Sequence, residues 1–343
     1  MKFHFNSISR LLLGLAAVAL VAGVCANAEA ATYVAKIGHL ESAQQSRNTL
    51  LVKVAQLVKE RTNGDVEFQI YPQGQLGGQR QMNEGVQLGT LEGTVAPAAF
   101  LGGFNPMVSI LDVPYLYPDD DARSQQLRES KFGQMLLDSF ADKGVAAITI
   151  WPNGRKCFSS NKPIDTIEEF KGQKFRVMDS KILIEQFKAI GASAIALPFS
   201  ELYTALQTGV VDGEENPLDT IQRMKYFEVQ KNFVISYHGL MEDFVLFNQM
   251  WWEGLPENYR TIIRDAFLEV IPELVAHKAQ AVAAALDDIK SHGVNVRVLT
   301  SEEKAQFRAK MFKPSMDVFL SKTGDKGKKL FDVYTEEYNR IMK

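Results

Sequence analysis

The strongest constraint on what this chain can fold into is the order in which short apolar runs alternate with helical stretches. Tyr33-Val34-Ala35-Lys36-Ile37-Gly38 reads as a first strand. A helix is expected from about Ser46 to Thr62, where Leu50, Leu51, Val54, Leu57 and Val58 recur at helical spacing and Asn63-Gly64 ends the run. Val66 to Tyr71 alternates as a second strand, Gln79 to Gly89 reads as a helix, and Gly93-Thr94-Val95-Ala96 as a third strand. Strands separated by helices in this way predict a mainly parallel sheet.

The alternation restarts after a strand at Val145–Trp151. It continues through a strand at Lys174–Met178, a helix from about Lys181 to Ile190, and a strand at Ala194–Leu197. A helix at Glu201–Thr208 and a short strand at Val210–Val211 follow. A further strand at Asp243–Asn248 is placed to carry the chain back toward the first half. Pro256 to Ser291 then reads as one helical stretch, interrupted only by Pro272, which removes a backbone donor and predicts a kink. A helix of that length, about 50 Å at ~1.5 Å per residue, is longer than one domain is wide. The expected architecture is a two-lobed α/β fold with a hinge between lobes and a long kinked helix spanning both.

The first thirty residues predict a compartment. Lys2 and Arg10 are basic, Leu11 to Val24 is apolar or small throughout, and Ala28-Glu29-Ala30 has the small-x-small pattern of a cleavage site. The apolar run is about 21 Å long as a helix, short of the ~30 Å hydrocarbon layer, so a signal peptide is expected rather than an anchor. The mature chain then starts near Ala31, in an extracytoplasmic space. Loss of Cys25 leaves Cys157 alone, so the fold must rest on its core without an intrachain disulfide. Thirty-eight basic and 41 acidic residues give a net charge of −3, with no basic run. That balance argues against nucleic acid or an anionic membrane as partner.

An anion bound by such a chain must be bound locally. Arg176 sits in the strand-like run Lys174-Phe175-Arg176-Val177-Met178, and Asn216 follows the apolar Gly209-Val210-Val211 run. Polar groups just past the carboxyl ends of strands line the ligand crevice of α/β domains. A planar guanidinium there, with an amide nearby, suits a carboxylate gripped by two parallel hydrogen bonds. No phosphate-binding glycine loop, dinucleotide fingerprint, zinc-binding histidine pair or nucleophile elbow appears, so no catalytic residue, metal or cofactor is expected. Cys157 reads as a buried thiol, a nucleophile being the alternative. Glu214-Glu215 reads as strand-end acids, a catalytic carboxylate being the alternative, and Asp119-Asp120-Asp121 as a solvated helix start.

The chain resembles the periplasmic substrate-binding proteins of the DctP type, the soluble components of tripartite ATP-independent periplasmic (TRAP) transporters. The resemblance runs through Tyr71–Gly77, Asp112-Val113-Pro114-Tyr115-Leu116, Asn153-Gly154-Arg155, Gly172–Val177, Pro198–Tyr203, Ala205–Pro217 and Trp252–Pro256. It implies that Arg176 pairs with the ligand carboxylate, that Asn216 supports it, and that Arg155 (or its neighbour Lys156) is a second cation of the cleft. It places Phe199 against the ligand body, Gln79 and the Pro97–Phe100 segment near its distal part, and His238 and Asp179 at polar contacts known from sialic-acid binding. It also implies lobe I from 31–152 plus about 240–270, and lobe II from 153–239 plus about 271–343. The expected partners are a small organic acid and the membrane permease subunits, touched only peripherally by a monomer. Ala98 and Ala99 cannot hydrogen-bond hydroxyls, so the ligand is expected to be a small or aromatic monocarboxylate, or a 2-oxo or 2-hydroxy acid, rather than a polyol. The alternative function is a sensing subunit presenting the bound form to a membrane kinase or receptor; a periplasmic hydrolase or lyase is the more remote one.

Overall fold

A computed structural model describes residues 31–343, so the expected signal peptide lies outside the described residues. One continuous sheet runs through the molecule in the order β2-β1-β3-β8-β4-β7-β5-β6, with β9 added on β8. The first lobe contains β1 (Tyr33–Gly38), α1 (Ser46–Arg61), β2 (Val66–Tyr71), α2 (Gln79–Leu88) and β3 (Gly93–Pro97), followed by α3 (Asp121–Glu129) and α4 (Lys131–Asp138). Its β1–β2 and β1–β3 ladders are parallel. The acidic run does start a helix: Asp120 caps α3 by accepting from the Arg123 amide.

Two strands then cross between the lobes. β4 (Val145–Ser160) and β8 (Asn232–Asn248) are 16 and 17 residues long and pair antiparallel. The sequence pattern marks only their ends nearest the first lobe, Val145–Trp151 and Asp243–Asn248. The remaining halves carry polar residues and break their register between Pro152 and Gly154 and between Lys156 and Phe158, which erases the period of two. The second lobe adds β5 (Lys174–Val177), α5 (Lys181–Lys188), β6 (Ser193–Ala196), α6 (Leu202–Gln207), β7 (Gly213–Pro217) and α7 (Leu218–Arg223). The strand expected at Val210–Val211 is instead a bend after the turn at Thr208-Gly209, and β7 begins at Gly213. A Cβ there would stand 2.2 Å from the Ser159 carbonyl oxygen, so only glycine lets β7 lie against β4 at that point.

After α8 (Gln249–Gly254), the long helical stretch is two helices, α9 (Glu257–Glu269) and α10 (Ile271–Ser291). Pro272 occupies the first turn of α10, where its missing N–H has no intrahelical acceptor to lose. α10 spans both lobes: Ile271 and Leu274 join the first-lobe core, whereas Ala285 and Ile289 join the second. β9 (Asn295–Val298) precedes α11 (Ser301–Met342), a helix absent from the sequence reading and broken at Gly324 (φ 55°). Phe307 and Met311 of α11 pack in the second lobe, while Met316, Phe319, Leu330 and Tyr334 pack in the first. α11 thus packs against both cores. Its apolar residues serve two different cores, so no single face runs its length.

Candidate ligand-binding site

The end of β5 carries Arg176, only 1% exposed. Its Nε and Nη2 both donate to the Leu197 carbonyl, at 3.0 and 2.9 Å, and the guanidinium carbon lies 5.9 Å from the Phe199 ring centroid. No carboxylate among the described residues forms an ion pair with it. Burial pulls its pKa below the ordinary arginine value, against the field of Tyr226, Glu214 and Glu215. Asn216 stands at the end of β7, two residues beyond Glu214, which is the register partner of Arg176. Its Nδ2 donates to Glu214 Oε2, while Ser159 Oγ donates to Glu214 Oε1 at 2.6 Å. Burial pushes Glu214 up to about 7, although both of these bonds and Arg176 favour its ionised form.

A second polar group occupies the other face of the same sheet. Lys156 Nζ donates to Glu215 Oε1 at 2.8 Å, and His238 Nε2 lies 2.7 Å from Glu215 Oε2. Burial alone raises the Glu215 carboxyl, but Lys156 and His238 outweigh it and hold it at about 2. His238 is lowered by burial more than Glu215 raises it, so it stays neutral. With Glu215 ionised, Nε2 carries the ring proton and Nδ1 accepts from Ser236 Oγ at 2.7 Å. The imidazole stacks on Phe158 at 3.8 Å.

Lys156 of this second group borders a narrow space between the lobes. Ala98 and Ala99 bound it from the first lobe, Met178 from the second and Leu240 from β8, with Asp112, Lys156 and Glu242 as its polar side chains. Arg128 Nε holds both Glu242 oxygens at 2.9 Å. Side-chain bonds between the lobes include Ser180 Oγ to Asp112 Oδ2 at 2.7 Å and Gln45 Nε2 to Thr220 Oγ1 at 3.3 Å.

The structure thus gathers Arg176, Asn216 and Phe199 at neighbouring strand ends and His238 just across the sheet. It does not bring Arg155 to them. The Arg155 guanidinium turns outward to the Pro118 carbonyl and Asp121, at 3.0 and 2.7 Å, and Lys156 takes the inward position because adjacent strand residues point to opposite faces. Asp179 is exposed, although its neighbours Met178 and Ser180 both face the seam. Gln79 is buried in the first lobe, where its Nε2 donates to Asn83 and Thr94. Asp112 and Glu242 were not singled out from sequence. Asp112 opens one of the resemblance motifs, but nothing in that motif tells which way its side chain faces. Among the described residues no cluster of His, Cys, Asp and Glu suits a metal ion, and no helix is long and apolar enough to cross a membrane.

Two lobes joined by crossing strands, with a buried guanidinium lacking a counter-ion at the strand ends, define a hinged solute-binding protein. The chain belongs to the bacterial extracellular solute-binding protein family 7 (DctP), whose family model matches residues 37–322. It is 34% identical over 299 residues to the C4-dicarboxylate-binding periplasmic protein DctP of Rhodobacter capsulatus, covering 86% of this chain and 88% of that one. It is 34% identical over 292 residues to the sialic acid-binding periplasmic protein SiaP of Vibrio cholerae, covering 85% and 88%. A TRAP periplasmic solute-binding protein from Desulfovibrio salexigens, solved with bound orotic acid, is 63% identical and superposes with a TM-score of 0.89, covering 90% of this chain and 99% of that one.

Proposed function

We propose that this protein is the periplasmic capture subunit of a TRAP transporter and that its ligand is an aromatic monocarboxylate, with orotate the first candidate. The observation that carries the reading is Arg176, a buried guanidinium without an acidic partner. Removing a charge from water is costly unless an opposite charge meets it, so a carboxylate entering the seam finds its electrostatic partner already in place. Asn216 supplies an amide beside it, and Phe199 a ring face. Ala98 and Ala99 give the first-lobe side of that space two side chains that cannot hydrogen-bond hydroxyls, which favours a ring over a polyol there. Orotic acid in the 63% identical relative is a planar acid of this kind.

In this reading Arg176 and Asn216 orient the carboxylate and the first lobe then covers the ring. Water is excluded as Ser180 meets Asp112 across the seam. The closed monomer delivers its ligand to the membrane subunits of the permease, with no bond made or broken. The test is calorimetry with orotate, succinate, sialic acid and galactonate. Orotate is expected to bind most tightly, and at 100 times its dissociation constant to raise stability by about 2.7 kcal/mol. Arg176→Ala is expected to weaken binding by roughly two to four decades, the cost of breaking a buried charge pair. Unchanged affinity in that variant sinks the carboxylate assignment, and tighter binding of succinate or a sugar acid sinks the aromatic one.

A further inference from the structure

Asp112 closes the 3-10 segment Pro106–Asp112 on the first-lobe side of the seam. Its Oδ2 accepts from Ser180 Oγ at 2.7 Å, and Ser180 is itself fixed as the N-cap of α5. No hydrogen bond reaches Oδ1 from any described residue, yet the carboxyl borders the space between the lobes. Lys156, the cation of the same wall, has its Nζ on Glu215 at 2.8 Å. Glu242, the other carboxyl of that wall, has both oxygens on Arg128 Nε at 2.9 Å, and the remaining residues around Asp112 include the apolar Ala98, Ala99, Leu111 and Met178. The seam therefore presents one carboxylate oxygen, Asp112 Oδ1, that no protein donor reaches, separate from the donors at Arg176 and Asn216. A ligand without a donor would bury that oxygen unsatisfied, whereas a ligand with a suitably placed N–H would pair with it. The charged groups facing Asp112 are Lys156 of β4, Glu215 of β7 and Lys322 of α11. Burial pushes its carboxyl up to about 6 against Lys156 and Ser180, so at pH 7.5 it is an ionised, acceptor-only group.

We propose that Asp112 is a specificity-determining residue, accepting a hydrogen bond from a ring N–H of the captured acid. The site then selects heteroaromatic acids that carry both a carboxylate and a ring N–H. This rests on the aromatic-acid reading above and refines it. Orotate has both groups, while benzoate has a ring and a carboxylate but no donor.

Calorimetry at pH 7.5 with orotate and benzoate, on the mature full-length chain, tests it. Wild type is expected to prefer orotate, and Asp112→Leu to reduce that preference roughly 10- to 100-fold, chiefly through loss of orotate affinity. Asp112→Asn keeps an acceptor oxygen and is expected to retain most of the preference. Ser180→Ala breaks the bond between lobes but spares Oδ1, and is expected to weaken both ligands by the same factor. Equal loss for both ligands in Asp112→Leu overturns the proposal and leaves Asp112 as a lobe contact only; an unchanged preference overturns it outright. Should Asp112→Leu not fold, wild type is titrated with the two ring-N-methylated orotates. One of them is expected to bind at least 10-fold more weakly than orotate. Orotate-like affinity for both overturns the assignment. Failure of wild type to bind orotate at all, with a different acid still captured through Arg176, instead overturns the ligand reading and this refinement with it.

Discussion

At the residue scale the site sets two carboxyls side by side with opposite charge preferences. Glu215 is held at about 2 by Lys156 and His238 despite its burial, whereas Glu214, one residue earlier on β7, is pushed up to about 7. A carboxyl raised in the folded state binds its proton more readily there than in the unfolded chain. Glu214 therefore costs stability above about pH 7, and the cost fades as pH falls toward its unfolded value. Glu214→Gln is expected to be more stable than wild type by about 1–3 kcal/mol at pH 8, with the difference closing by pH 5. Urea unfolding at both pH values measures this, and an equal difference at each would show that charge is not the cause. Residue chemistry at this scale was partly legible in sequence. Arg176 and Asn216 stand out because a cation and an amide at strand ends have few other uses in a chain without a basic surface. The choice between Arg155 and Lys156 was not legible, because β4 shifts register on both sides of them and strand parity cannot be counted through a bulge.

At the element scale, periodic segments with clear terminators were legible. α1, β2 and α2 have apolar residues at one spacing and a turn at the end, and the structure places them within a residue or so of expectation. The segments that serve both lobes were not. β8 and α11 change the face they bury partway along, so each lacks one continuous period, and these are the elements that make the hinge. β7 is placed by a steric fact rather than a pattern. Gly213→Ala would press a methyl group against the Ser159 carbonyl and the Phe175 ring, at 2.2 and 2.5 Å before relaxation. Overpacking of this kind costs about 1–3 kcal/mol or more, and it would shift Glu214 and Asn216 with the strand. The variant is expected to lose stability in urea melts and to bind its ligand more weakly. Wild-type affinity in a destabilised protein would show that β7 holds its geometry by other contacts.

At the scale of the whole molecule, four segments cross between the lobes: β4, β8, α10 and α11. Covalent continuity through two strands and two helices permits rotation but not separation, the arrangement of hinge closure. If the ligand enters only when the lobes part, then Gln45 and Thr220, in contact at 3.3 Å across the seam, must separate for exchange. A Gln45→Cys, Thr220→Cys pair joined by a short bifunctional thiol reagent tests this without touching the ligand site. Cys157 does not interfere, because burial raises its thiol far above the ordinary range and keeps it from solvent. Protein cross-linked before exposure is expected to take up little orotate over hours, while protein cross-linked after loading is expected to retain it through dialysis. Reduction of a cleavable version of the reagent should restore exchange in both cases. Equal uptake rates with and without the cross-link would mean that the acid reaches Arg176 without lobe opening, and that the crossing segments serve as scaffold rather than hinge.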